Sequence, residues 1–136
     1  MFFDYTYYYG GPAFHGSVDT MKNTIESIKN GSLAKGTMLT DCSGFVRASI
    51  YAATGFDIEA GYTGAYSSYV GKTMDEVSIN DLKPGDIAWK SGHVEIVTSV
   101  EGGQVYTQGA RGPNDGGPIG GPAVLGGWTK YYRAKV

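Results

Sequence analysis

Cys42 is the only cysteine of this 136-residue chain, and it stands between Asp41 and Ser43 in the stretch TDCSGFVRAS, residues 40–49. A cysteine does chemistry chiefly as a thiolate, which attacks carbonyl carbon readily. Phe45, Val46, Ser49, Ile50 and Ala53 recur at helical spacing and Gly55 stops the pattern, which predicts a helix over residues 42–55. Asp41 or Thr40 is a fitting N-cap, so Cys42 falls in the first turn, where unpaired N–H groups and the helix dipole favour an anion. A buried, inert thiol is the commonest state of a free cysteine, but it gains nothing from that position. A nucleophile gains a great deal, and the same N–H groups are placed to hold an oxyanion during acyl transfer.

Such a thiol needs a base, and the chain has two histidines. His15 lies in the glycine-flanked AFHGS, where a solvated imidazole is the default. His93 follows Ser91-Gly92 and opens a run rich in Val and Ile. Strand alternation puts His93, Glu95, Val97 and Ser99 on one face and Val94, Ile96 and Thr98 on the other. His93 therefore need not belong to the core, Gly92 gives its surroundings backbone clearance, and it is the candidate base. A third residue should accept from the second ring nitrogen and orient the imidazole. After the Gly102-Gly103 turn the returning strand offers Gln108, whose amide oxygen suits that role, and Thr107, which points to the opposite face. Gln108 is the expected partner, although a one-residue slip of register exchanges the two.

The elements that must position these groups follow from patterning. Residues 1–16 are aromatic and glycine-rich and read as a loop. Val18, Met21, Ile25 and Ile28 predict a helix over 18–30, capped by Ser17 or Asp19 and ended by Gly31. The stretch YTGAYSSYVGKTM, 62–74, carries a short helical signal weakened by its glycines. LKPGDIAWK, 82–90, reads as a Pro84-Gly85 turn entering a strand; residues 91–100 and 104–110 read as a hairpin, and WTKYYRAKV, 128–136, as a closing strand. Residues 111–127 form a long glycine- and proline-rich loop. Helices first and an antiparallel meander after them make an α+β layout of one domain over 1–136.

Composition narrows the function. Net charge is −2 without a basic run, which argues against nucleic acid and against an anionic membrane surface. Phosphate-loop, zinc-protease and paired CxxC motifs are absent, so no metal or organic cofactor is expected. A lone cysteine closes no internal disulfide. The segment MFFDYTYYYGG lacks the basic leader and apolar run of a secretory signal, and no run approaches the length that spans a bilayer. Three settings fit: a cytoplasmic protein, one delivered without a leader, or a domain cut from a longer chain.

Taken in order, YYYGG (7–11), DCSGFV (41–46), LKPGDIAW (82–89) and GHVEIV (92–97) resemble the NlpC-type family of bacterial cell-wall cysteine peptidases. The resemblance runs from Tyr7 to about Gln108, and the motifs are specific as a set. It implies a papain-like α+β fold, N-terminal helices packed on an antiparallel sheet meander, with Cys42 as nucleophile and His93 as base. It also implies cleavage of amide bonds in peptidoglycan stem peptides, often between γ-D-glutamate and a diamino acid. Tyr7, Asp41 and Ser43 are carried over as substrate contacts; the Asp41 carboxylate suits a free amino group and equally suits a helix cap.

The chain departs from the family in two places. Relatives commonly have histidine as the third triad member, where this strand carries Thr107 and Gln108. They also lack the helix inserted at 18–30. The loop over 110–127 reads first as solvated, although it also borders the expected groove, where Arg111 is placed to meet a substrate carboxylate. Two rival readings remain. One is an N-acetylmuramoyl-L-alanine amidase or cross-bridge peptidase of the CHAP type, which shares the Cys–His plan. The other is a non-catalytic wall-binding module. The expected partners are stem peptides, with an immunity protein or a fused wall-binding domain depending on setting. A monomer acting at the bacterial wall, whether phage-delivered, injected or secreted, is the expected working form.

Overall fold

The computed structural model describes residues 42–109 and 122–136. The predicted helix over 18–30, the leading loop and most of the 110–127 loop lie outside the described residues.

Helix α1 spans Cys42–Thr54, matching the predicted 42–55. Of its predicted stripe, Phe45, Val46, Ser49 and Ile50 are buried, while Ala53 near the helix end is exposed. The end is set locally. Thr54 Oγ1 donates to the Ile50 carbonyl at 2.7 Å, and Gly55, at φ +76°, returns its N–H to the Tyr51 carbonyl at 2.8 Å. Only glycine takes that left-handed conformation without strain. Arg47 then grips Asp57 through two bonds of 2.7 Å, tying the following loop back to the helix. A 3-10 turn, Thr63–Tyr69, leads into the sheet.

Five strands follow: β1 Met74–Val77, β2 Ile87–Lys90, β3 His93–Glu101, β4 Gln104–Gln108 and β5 Lys130–Ala134. Every pairing is antiparallel, in the order β1-β5-β2-β3-β4. Sequence neighbours β2, β3 and β4 pair as hairpins. Gly92 (φ +79°) turns between Lys90 and His93, and Gly102-Gly103 (φ +58° and +77°) between Glu101 and Gln104. The closing strand β5 does not extend that run. It inserts between β1 and β2. The KPGD motif explains part of this. Asp86 accepts from the Lys83 N–H at 2.8 Å, closing the Pro84-Gly85 turn, and also accepts two bonds of 2.8 Å from Arg133 on β5.

The papain-like α+β expectation, N-terminal helices packed on a sheet meander, is therefore corrected. The described chain is an open, mainly antiparallel five-stranded sheet, with α1 the sole α-helix among the described residues. The reason lies in β1. Its sequence MDEV buries Met74 and exposes Asp75 and Glu76, so it gives little alternating apolar signal. Its partner β5 is distant in sequence, and long-range pairing leaves no local trace.

The sheet has a core on each face. One joins Val46 and Ile50 of α1 to Ile58, Tyr66, Met74, Ile87, Val94, Ile96 and Tyr132, with Cys42 packed at its margin. The other joins Ala88, Val97 and Val105 to Leu82, Trp128 and Tyr131. At Val97 to Ser99 the β3–β4 register shifts by one residue: Val97 faces Thr107, but Ser99 faces Tyr106. Thr98 is the extra residue of a β-bulge.

Candidate active site

Cys42 is the first residue of α1 and is partly buried. His93 is the first residue of β3, straight after the tight turn at Gly92, and its side chain bonds that of Cys42. Its side chain is 22% exposed, and its Nε2 meets Glu95 Oε2 at 2.7 Å. Nδ1 is then the nitrogen left for the thiol. Burial by itself lowers the imidazole pKa, but the bonding contacts with Cys42 and with Glu95 outweigh it and raise it to about 9. At neutral pH the ring is a cation between a sulfur and a carboxylate.

Glu95 is fully buried. Its second oxygen, Oε1, accepts from Thr107 Oγ1 at 2.8 Å, so both carboxylate oxygens are bonded. A buried carboxylate is tolerable only when paired and hydrogen-bonded in this way. The bulge at Thr98 creates the arrangement. An unbroken ladder from the Glu101–Gln104 pair would set Gln108 opposite Val97, on the face of His93 and Glu95. The shift instead sets Thr107 there and Gln108 opposite Ile96. Gly109 supplies the space. A Cβ at that position would lie 2.7 Å from Glu95 Cγ and 3.0 Å from Cδ.

The structure thus brings Cys42 and His93 together and puts Glu95, not Gln108, on the second ring nitrogen. Gln108 instead lines an apolar cavity of about 600 Å³ with Ile50, Ala53, Ile96 and Arg133, beside the far half of α1 from Cys42. Thr107 enters the site as the partner of Glu95. Ser43 is 1% exposed, and its hydroxyl makes no hydrogen bond among the described residues. Tyr7, His15, Asp41 and Arg111 lie outside the described residues. Among the described residues no three His, Cys, Asp or Glu side chains gather as metal ligands. No described helix is long and apolar enough to cross a membrane.

Two further residues of the site gave little sequence signal. Glu95 carried one, a charged residue within HVEIV two positions from His93 and so on the same face. Trp128 carried none. It reaches the site only because residues 122–129 cross the second face of the sheet. The indole stacks on His93, centroids 6.1 Å apart and planes 18° from parallel.

Comparison with protein-family models, with curated proteins and with solved structures finds no match in any of the three. The NlpC-type resemblance accordingly stands on the motif residues themselves.

Proposed function

We propose that this chain is a cysteine peptidase that hydrolyses amide bonds in peptidoglycan stem peptides at the bacterial cell wall. The observation that carries this reading is the alignment Cys42–His93–Glu95, a thiol at a helix start, an imidazole beside it and a buried carboxylate behind the imidazole. A merely structural cysteine has no use for that chain of partners, whereas nucleophilic catalysis needs each member. The motifs shared with NlpC-type peptidases supply the substrate class, and the bond between γ-D-glutamate and a diamino acid is the one they favour.

In the proposed cycle the thiol proton is already on the His93 ring, and the Cys42 sulfur attacks the amide carbonyl. The Cys42 backbone N–H, which has no intrahelical acceptor at the first position of α1, is available to the oxyanion. His93 then donates a proton to the departing amine as the carbon–nitrogen bond breaks, leaving a thioester on Cys42. Water, deprotonated by His93, attacks the thioester and releases a carboxylate and the free thiol. Glu95 is a positioning residue: it fixes the ring so that Nδ1 faces the sulfur, and it offsets the imidazolium charge.

The test is digestion of purified peptidoglycan with products identified by mass, comparing the native chain with Cys42→Ala. Fragments cut within the stem peptide, released by the native chain and lost in the folded variant, support the proposal. Intact stem peptides freed from sugar would place the cut at the muramoyl amide instead. Undiminished fragment release by Cys42→Ala overturns the nucleophile.

A further inference from the structure

The segment 122–129 is anchored at both ends on strands that carry or flank the candidate triad. At one end Ala123 forms a two-bond bridge with Thr107, 2.9 and 3.0 Å, and Thr107 is the residue whose hydroxyl holds Glu95. At the other end Thr129 N–H donates to the Trp89 carbonyl at 3.0 Å, fixing the chain beside β2. Between them Gly126 and Gly127 are both left-handed, φ +73° and +75°, and turn the chain so that Trp128 lies against the His93 ring. Lys90, the register partner of His93 on β2, sets its Nζ 4.7 Å from the centroid of the same indole and donates to the Gly126 carbonyl at 3.2 Å.

We infer that Trp128 is a positioning residue for His93, its indole holding the imidazole in the one orientation that serves both Cys42 and Glu95, with Lys90 holding the indole in turn. This rests on the peptidase reading only for its link to turnover; the effect on the ring stands apart from it. A histidine ring bonded at one nitrogen to a carboxylate still pivots about that bond, and a flat surface parallel to the ring removes the pivot. An electron-rich indole face is also attractive to a cation, so the stack favours the protonated ring. The charged or titratable groups that face His93 among the described residues are Cys42 from α1 and Glu95 from its own strand. Lys90 on β2 acts across the indole.

The experiment uses Trp128→Leu and Trp128→Phe in the full chain. Leucine keeps apolar contact with Ala88, Val97 and Val105 but has no ring face; phenylalanine keeps a face. The readout is the NMR titration of the His93 ring, assigned against the other histidine, together with the pH profile of Cys42 alkylation by iodoacetamide. For Trp128→Leu the His93 midpoint is expected to fall by about half to one pH unit, the alkylation profile to shift with it, and kcat to drop about threefold to tenfold with KM little changed. Trp128→Phe is expected to restore most of each. Unchanged His93 and Cys42 profiles in folded Trp128→Leu overturn the inference, as does a Phe variant no better than Leu. Neither outcome depends on hydrolysis, whereas fragment release that survives Cys42→Ala overturns the peptidase reading and leaves the clamp standing.

Discussion

Nε2 of His93 and Oε2 of Glu95, two positions apart on β3, meet at 2.7 Å, and Thr107 closes the other carboxylate oxygen from β4. Same-face spacing along one strand makes the first contact, and cross-strand register makes the second. An imidazole and its carboxylate partner carried on a single strand need no loop to bring them together. The cost is a carboxylate with no access to water. It is tolerable because the ring it serves is held protonated, with a pKa of about 9.

Replacing Glu95 by Gln keeps shape and an acceptor oxygen but removes the charge. The His93 ring then loses one of its two raising partners and should titrate below its present value of about 9. A charge-assisted bond is roughly twice as strong as a neutral one, so turnover should fall about tenfold. NMR titration of His93 and steady-state rates on a stem-peptide amide measure the two effects. A His93 midpoint equal to that of the native chain would remove Glu95 from the site.

Thr107 and Gln108 separate cleanly. Thr107→Val removes the hydroxyl that bonds Glu95 Oε1 and leaves a buried charged acceptor short of a donor, which should cost about 1–3 kcal/mol in urea unfolding and lower kcat. Gln108→Ala, on the opposite face beside Ile96, should leave kcat within about twofold of native, as for a substitution remote from the triad. The reverse pattern would restore Gln108 as the third member.

What the sequence revealed and what it hid follow from how far each feature reaches along the chain. The helix over 42–54 and the hairpin around Gly102-Gly103 are local, and their apolar spacing and turn glycines state them directly. The pairing of Cys42 with His93 was readable from residue chemistry together with those two elements. The exchange of Gln108 for Thr107 was not, because a single extra residue at Thr98 inverts the facing of all of β4 relative to the start of β3. Thr98 sits in an ordinary run of β-formers, and its type does not announce a bulge. Trp128 was hidden for a different reason. It comes to His93 from 35 positions away across a glycine-rich segment that has no periodicity to read.

The His93 shift also sets how stability varies with pH. The folded pKa, about 9, lies above the ordinary value of 6.5, so folding favours the protonated ring. That contribution is complete below about pH 6.5 and is lost as pH rises through about 9. Urea midpoints should therefore decline across that alkaline window. The decline should be smaller and should end at lower pH in Glu95→Gln, where the folded pKa is closer to the ordinary value. A flat profile over the window in the native chain would contradict the protonated pair.

Gly109 tests the same pair by volume instead of charge. Its backbone carries no left-handed strain, so its need for glycine comes from contact alone: a Cβ would stand 2.7, 3.0 and 3.2 Å from Glu95 Cγ, Cδ and Cβ. Glu95 cannot swing aside cheaply, because it is fully buried and bonded at both oxygens. Gly109→Ala should therefore destabilise by about 1–3 kcal/mol, the usual cost of overpacking a filled interior. It should also displace the carboxylate from His93, so that the ring titrates lower and turnover falls, without touching Cys42 or His93 themselves. Combining Gly109→Ala with Glu95→Gln separates the routes. If the alanine acts through the carboxylate, the double variant loses little more activity than either single one. Losses that simply multiply would mean that Gly109 matters to turnover by some path other than Glu95.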